Sequence, residues 1–253
     1  MAQRGNILFL ILLAIILFVA LSYAVNSGMR GGGNNASAEQ AQSVAAELVQ
    51  YASLLENTVS RLRLTNGCSD TQISAQNGIE TGYTNPNAPA DKRCHIFDAA
   101  GGGMAWKNPK TEWLDAYFSS SPWGTTWLYG QSIIHRSTAI KGVGTHNSVN
   151  DLGIADLTYE VPFITDAVCK AVNKEAGLPY PLTSAAGGVI DTAKWDGRYT
   201  GCAMPTPCNL WIDLRSGSTP INASTFCVTG QWGYANPEVG KTFNLFVHVL
   251  LPR

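Results

Sequence analysis

Apolar residues follow three different patterns along this chain. Residues 7–25 form an uninterrupted apolar run without a charge, and a helix of that length nearly matches the hydrocarbon core of a bilayer, about 30 Å. Farther along, apolar residues recur at alternating spacings of four and three, which predicts an amphipathic helix with one narrow stripe. That stripe consists of Ala41, Ala45, Leu48, Ala52, Leu55, Val59 and Leu62. Period-two segments at 210–214, 226–228 and 243–251 predict strands.

The amphipathic helix has recognisable ends. Ser37 is a good N-cap, and Gln40 three residues later completes a capping-box pattern. Asn66-Gly67 is a stop signal. The glycines within 26–36 disfavour a helix before it. We therefore expect a hinge at 26–36 and a stalk helix at 37–66, whose stripe can pair as a coiled coil or dock on a sheet. Its small alanines suit docking, which we favour because a coiled coil usually has more Leu and Ile on its seam.

The remainder, 67–253, has the size of one domain. Leu157 to Val161 alternates as a strand does, and a short helix is predicted after the N-cap Thr165, with Gly177 ending it. The expected fold class is α+β. A long N-terminal transmembrane helix precedes a mainly antiparallel, disulfide-bonded sheet with one short extra helix.

All six cysteines lie on one side of the apolar run. An even number confined to one side points to disulfides in an oxidising compartment, and the spacings do not suit zinc. Six cysteines allow about fifteen connectivities. Among them, Cys202–Cys208 is a plausible local bridge across a proline-containing loop, and Cys68–Cys94 would staple the stalk helix to the head. Cys169–Cys227 is then the remaining pair.

The N-terminus carries a further signal. Met1 to Gly5 is a short basic leader that ends in glycine directly before the apolar run, and it resembles the leader of type IV pilins and type II secretion pseudopilins. The resemblance implies that prepilin peptidase cuts after Gly5 and that Asn6 becomes the methylated first residue. Two other interpretations remain open. One is a secretory signal cleaved after Ala24, and the other is an uncleaved signal anchor.

This resemblance implies a non-enzymatic structural subunit of a filament. The assembly helix, 6–25, would contact other pilin-like subunits through Ile7, Leu8, Phe9, Leu10, Leu13 and Leu17. The subunit would wait in the bacterial inner membrane with a periplasmic head before it joins an extracellular filament. Pilins usually have Glu at the fifth mature position, where this chain has Leu10. We therefore expect a minor or tip subunit, which has no neighbour above it that needs that carboxylate.

Chemistry in the head is sparse. No nucleophile, metalloprotease or phosphate-loop motif occurs, so neither an enzyme nor a cofactor is expected. A net charge of −1 gives no general reason to bind nucleic acid. Asp191 and Asp196 are weak calcium candidates, and Trp123 and Trp127 are candidate exposed aromatics. These tryptophans support the alternative function, a membrane-anchored or secreted adhesin or glycan-binding module. A secreted hydrolase is a third hypothesis.

Overall fold

The computed structural model describes residues 37–121, 129–144, 155–184, 194–199, 210–216, 219–230 and 242–253. The chain forms two compact units, 1–41 and 42–253, and only the helical residues 37–41 of the first are described. Within the described ranges, no helix is long and apolar enough to cross a membrane. The predicted leader, the transmembrane run at 7–25 and the hinge at 26–36 lie outside these ranges.

Helix α1 covers residues 37–65. From residue 42 onward its apolar face is buried, and that face consists of Val44, Ala45, Leu48, Tyr51, Ala52, Leu55, Val59 and Leu62. The helix ends at the predicted signal. The amides of Asn66 and Cys68 both donate to the carbonyl oxygen of Leu62 at 3.2 Å, and Gly67 between them has φ +65°. Such a left-handed residue closes a helix, and glycine adopts it without strain.

The head contains a second helix and eight strands among its described residues. Helix α2 is Asp166–Glu175, capped by Thr165, whose hydroxyl accepts from Val168 N. The strands are β1 Ile133–Ile140, β2 Asp156–Ile164, β3 Thr183–Ser184, β4 Leu210–Ile212, β5 Leu214–Ser216, β6 Thr219–Pro220, β7 Thr225–Gly230 and β8 Phe243–Leu251. They form one sheet in the order β4-β1-β2-β8-β7-β3-β5-β6. The α+β class with an antiparallel sheet is confirmed, although β1–β4 and β3–β7 pair in parallel.

The order of the strands requires the sheet to curl. Strand β4 pairs with β1, and β5 pairs with β3 near the opposite end of the order. Only Asp213 separates β4 from β5 in the chain, so the first strand of the order and one near its other end must lie close together. Interior side chains then form an apolar core: Phe118, Ile140, Phe163, Leu182, Ile212, Leu214, Phe226, Val228, Phe243, Leu245, Val247 and Val249.

Both helices lie on the outer face of this sheet. In β8, Leu245, Val247 and Val249 belong to the interior core, so the alternate residues Phe246 and His248 face outward. Every residue of β2 and of β8 is buried. The central strands are therefore covered on both faces, by the curled interior on one side and by helices on the other.

Two expectations for the head need correction. The predicted strand 210–214 is two strands, because the chain turns at Asp213 to pair first with β1 and then with β3. Strand β1 was missed, because its residues His135, Arg136 and Ser137 break the apolar alternation. The polar residue His135 is nevertheless buried, inside the curled sheet.

Candidate functional site

The interface between α1 and the outer face of β2 and β8 has an aromatic centre. The ring of Tyr51 in α1 meets that of Tyr159 in β2 edge-on at 5.5 Å, and Tyr159 meets Phe246 in β8 at 6.2 Å. The Tyr51 hydroxyl donates to the carbonyl oxygen of Ala105 at 2.9 Å and accepts from Lys107 N at 3.2 Å. Burial raises the pKa of Tyr51 to about 12, so this hydroxyl keeps its proton and remains a donor.

A histidine of the sheet bonds to α1 in the same interface. His248 in β8 lies under α1, its side chain is 4% exposed, and its Nε2 is 3.0 Å from Oε2 of Glu56 in α1. The other ring nitrogen, Nδ1, is 2.7 Å from the Thr225 hydroxyl. A neutral imidazole satisfies both contacts, because Nε2–H donates to the carboxylate and Nδ1 accepts from the hydroxyl. Glu56 is thus joined to the sheet through a buried, uncharged ring.

We predict that acid weakens the fold through His248. Burial lowers the pKa of this imidazole below its ordinary value of 6.5, and nearby Glu56 opposes the shift only in part. A lowered folded-state pKa gives stability that is present above pH 6.5 and is lost as pH falls through the folded pKa. The contribution of this group to the free energy of unfolding should decline by at most about 1.4 kcal/mol per pH unit between pH 8 and 5. Asp156, whose pKa burial raises to about 7, opposes it in the same range, so denaturant unfolding of the wild type is compared with that of a variant without the imidazole.

His248→Gln is the matching control, because glutamine does not titrate. The titrations of His95 and Asp156 are common to both proteins, so the variant should gain stability relative to the wild type as pH falls from 8 to 5. The same pH dependence in both proteins would contradict the assignment.

The backbone of the loop at 101–103 lies directly against α1. A Cβ on Gly102 would stand 2.7 Å from Cγ2 of Thr58 in the helix and 2.1 Å from the carbonyl oxygen of Ile96. Arg61 of α1 donates to the Gly102 carbonyl oxygen at 2.8 Å. Gly102 therefore permits the close approach of loop and helix.

Gly102→Ala should destabilise the protein by about 1–3 kcal/mol or more, as overpacking does. The neighbouring Gly103→Ala is the control. Gly103 has φ +66° with nothing within 4 Å of an added Cβ, so only the left-handed backbone penalises alanine, by about 1–2 kcal/mol. Guanidinium unfolding midpoints measure both. A smaller loss at Gly102 than at Gly103 would show that the contact with Thr58 is not tight.

One disulfide fixes the end of α1 to the head, and a second joins α2 to the sheet. Cys68–Cys94 follows the last turn of α1, with a Cα–Cα distance of 5.8 Å. Cys169–Cys227 joins α2 to β7 at 5.3 Å, where Asn173 also exchanges two hydrogen bonds with the Cys227 backbone, at 2.8 and 2.7 Å. These are two of the three pairs suggested by the sequence. Cys202 and Cys208 lie outside the described residues.

A polar cluster lies inside the curled sheet. Glu160 in β2 is 2% exposed, and one of its oxygens accepts from the hydroxyls of Thr138 and Thr158. His135 in β1 is fully buried, with Nδ1 2.7 Å from the Thr138 hydroxyl and 3.6 Å from Oε1 of Glu160. Such a buried carboxylate is tolerated only when donors surround it. The cluster has the residue types of an acid–base site, but its burial suits a structural role.

Asp156 at the start of β2 is also buried. Its carboxylate accepts from the amides of Ile140 at 3.2 Å and Arg253 at 2.9 Å. Burial raises the pKa of Asp156 to about 7, against the opposing effect of these two hydrogen bonds. Asp156 therefore ties the last residue of β1 to Arg253, two positions beyond the end of β8.

Few of the residues singled out from the sequence as sites are described. Gly5, Asn6, the assembly-helix side chains, Trp123, Trp127 and Asp191 lie outside the described ranges. Asp196 is described, and it pairs with Arg136 at 3.5 Å and Arg198 at 2.7 Å. These cations occupy its carboxylate, which does not favour the calcium prediction. No cluster of three or more potential metal ligands occurs in the described part of the chain.

Comparison with protein-family models, curated proteins and solved structures finds no match for this chain. Among the described residues, the interface between α1 and the sheet combines aromatic contacts, a buried histidine–carboxylate pair and a close backbone contact. The sequence located its helical half but missed His248, whose only signal was a polar residue in the middle of an apolar strand.

Proposed function

We propose that this chain is a structural, pilin-like subunit of a type IV pilus-like or type II secretion pseudopilus filament. One observation carries the proposal: α1 packs its apolar stripe along the outer face of a mainly antiparallel sheet. This is the arrangement that the resemblance of the leader implies for the stalk helix and head. The cysteines support it as well, because the two disulfides suit a head outside the cytoplasm.

The interface gives α1 a mechanical role in this proposal. Tyr51, Glu56 and Arg61 each bind the head at a different point along the helix. The disulfide beyond the last turn prevents that end from separating. A pull on the chain before α1 is therefore distributed over the whole interface. Such a rigid coupling suits a subunit that is extracted from the membrane with its head attached.

Assembly would transfer the apolar run 7–25 from lipid into a bundle of like helices. Lipid already offers an apolar environment, so side-chain packing and an assembly motor must drive this transfer. Leu10 stands where pilins usually carry Glu. We therefore propose a minor or tip position, where no subunit above requires a carboxylate partner.

Immunogold labelling of sheared filaments tests the position. Antibodies against the head should label filament ends, at one or a few particles per filament. A variant lacking residues 1–5 should give no labelled filaments, because the leader directs processing. Labelling along the whole shaft would contradict the tip assignment, and a wild-type head found only in the soluble secreted fraction would contradict a filament subunit altogether.

A further inference from the structure

Two arginines share one carboxylate just beyond the end of α1. Asp70 Oδ1 lies 2.6 Å from Nε of Arg63, and Asp70 Oδ2 accepts from the guanidinium of Arg253. Each guanidinium carries five N–H donors, more than one carboxylate oxygen can use. The side chains of Arg63 and Arg253 are 41% and 28% exposed. Both guanidinium groups therefore keep accessible donors that Asp70 does not use.

These arginines line an open groove. Its volume is about 490 Å³, and Ser69, Asp70 and Thr71 line it together with both arginines. The hydroxyls of Ser69 and Thr71 lie 3.3 Å apart, so they add two further polar groups on the same short segment. Guanidinium and hydroxyl donors around one cavity are the groups that bind oxyanions in proteins.

Arg253 is held in place without a ligand. Its guanidinium lies over the ring of Tyr199, 4.4 Å from the centroid, and its amide donates to Asp156 at 2.9 Å. Its main-chain carbonyl packs against Gly144, where a Cβ would approach the oxygen to 2.0 Å. A side chain fixed in this way loses little freedom when it binds, which favours affinity.

A second arginine pair adjoins the first along the chain. Asp196 holds Arg136 and Arg198, and Arg198 directly precedes Tyr199. Here too, two cations share one carboxylate. Arg253 lies over the ring of Tyr199 and Arg198 precedes Tyr199 in the chain, so each pair has one member next to this residue.

We propose that the groove lined by Arg63 and Arg253 binds a phosphate-type oxyanion. The guanidinium donors that Asp70 does not use, together with the hydroxyls of Ser69 and Thr71, bind the oxygens of the anion. A ligand with several phosphate groups would extend toward Arg198. This site is independent of the filament proposal, because it uses only the head and the last turn of α1.

Isothermal titration of the full-length chain in an uncharged detergent tests the site, with sodium phosphate as ligand and sodium chloride at matched ionic strength as the blank. Wild-type protein should bind phosphate and should not bind chloride. Arg63→Gln and Arg253→Gln should each weaken phosphate binding by about tenfold or more, the effect of losing one charge-assisted contact. Circular dichroism checks that each variant is folded.

Arg93→Gln is the matched control. Arg93 is 49% exposed and pairs with Asp91 at 2.7 Å, but it does not line the groove. Its substitution should leave phosphate binding unchanged. Absence of phosphate binding by the wild type, or equal weakening in Arg93→Gln, would overturn the proposal.

Tripolyphosphate distinguishes the source of the anion. Tighter binding than phosphate, partly lost in Arg198→Gln, would support a polymeric phosphate ligand. Equal binding, unaffected by Arg198→Gln, would support a single phosphate group in the groove.

Discussion

Glu160→Ala should lower the free energy of unfolding by about 3–5 kcal/mol, because it removes the acceptor at the centre of a buried polar cluster. The hydroxyls of Thr138 and Thr158 both donate to Glu160, and fully buried His135 lies beside it. Alanine leaves these donors without an acceptor in a site that water does not reach. Urea unfolding of the full-length chain, followed by circular dichroism, measures the loss.

Glu56→Ala is the matched control, because Glu56 also pairs with a buried histidine. Its side chain is 48% exposed, so water can replace the carboxylate, and the expected loss is at most about 1 kcal/mol. Similar losses at Glu160 and Glu56 would show that the interior cluster is hydrated, contrary to its burial in the curled sheet.

The second large effect is expected at Leu55. Leu55→Ala should cost about 2–5 kcal/mol, since this side chain is fully buried in the interface between α1 and the sheet. Its neighbour Leu54 is 48% exposed, and Leu54→Ala should change stability by no more than about 0.5 kcal/mol. Both substitutions have the same chemistry and helix propensity, so their difference measures burial alone.

Urea unfolding followed by circular dichroism measures the loss of stability in Leu54→Ala and in Leu55→Ala. If Leu54→Ala were as costly as Leu55→Ala, the polar face of α1 would have to be covered in solution. That result would contradict the docked arrangement of the isolated chain and would favour a coiled coil along the other face of the helix.

Local signals predicted the helices well. The stripe, the N-cap Thr165 and the Asn66-Gly67 stop depend on residues within one or two turns of each other, and the structure places both helices accordingly. Strand β8 was equally clear, because its apolar run is uninterrupted apart from Asn244 and His248. These elements follow from periodicity and capping, which need no knowledge of distant contacts.

The pairing of strands that are distant in the chain could not be predicted from the sequence. The closure of the sheet depends on a break at Asp213 that sends β4 and β5 to different partners. Phe163 reaches the interior because the β2–β8 register shifts between Pro162 and Ile164, where Phe163 adopts φ +63°. It then stacks on Phe118 at 4.7 Å. No local pattern indicates such a bulge.

The same holds for the interface between α1 and the sheet. The sequence predicted the apolar stripe on α1, but it did not predict which residues of the sheet the stripe contacts. Glu56 and His248 are 192 positions apart, and Arg63 meets Asp70 and Arg253 only through the fold. Charged residues far apart in sequence reveal a common site only once the sheet and helix are placed.

N-terminal sequencing of the protein purified from its native membrane tests the filament account most directly. The account predicts a mature chain that begins at methylated Asn6 and retains the apolar run together with the head. A mature chain that begins at Val25, with the run removed, would contradict it.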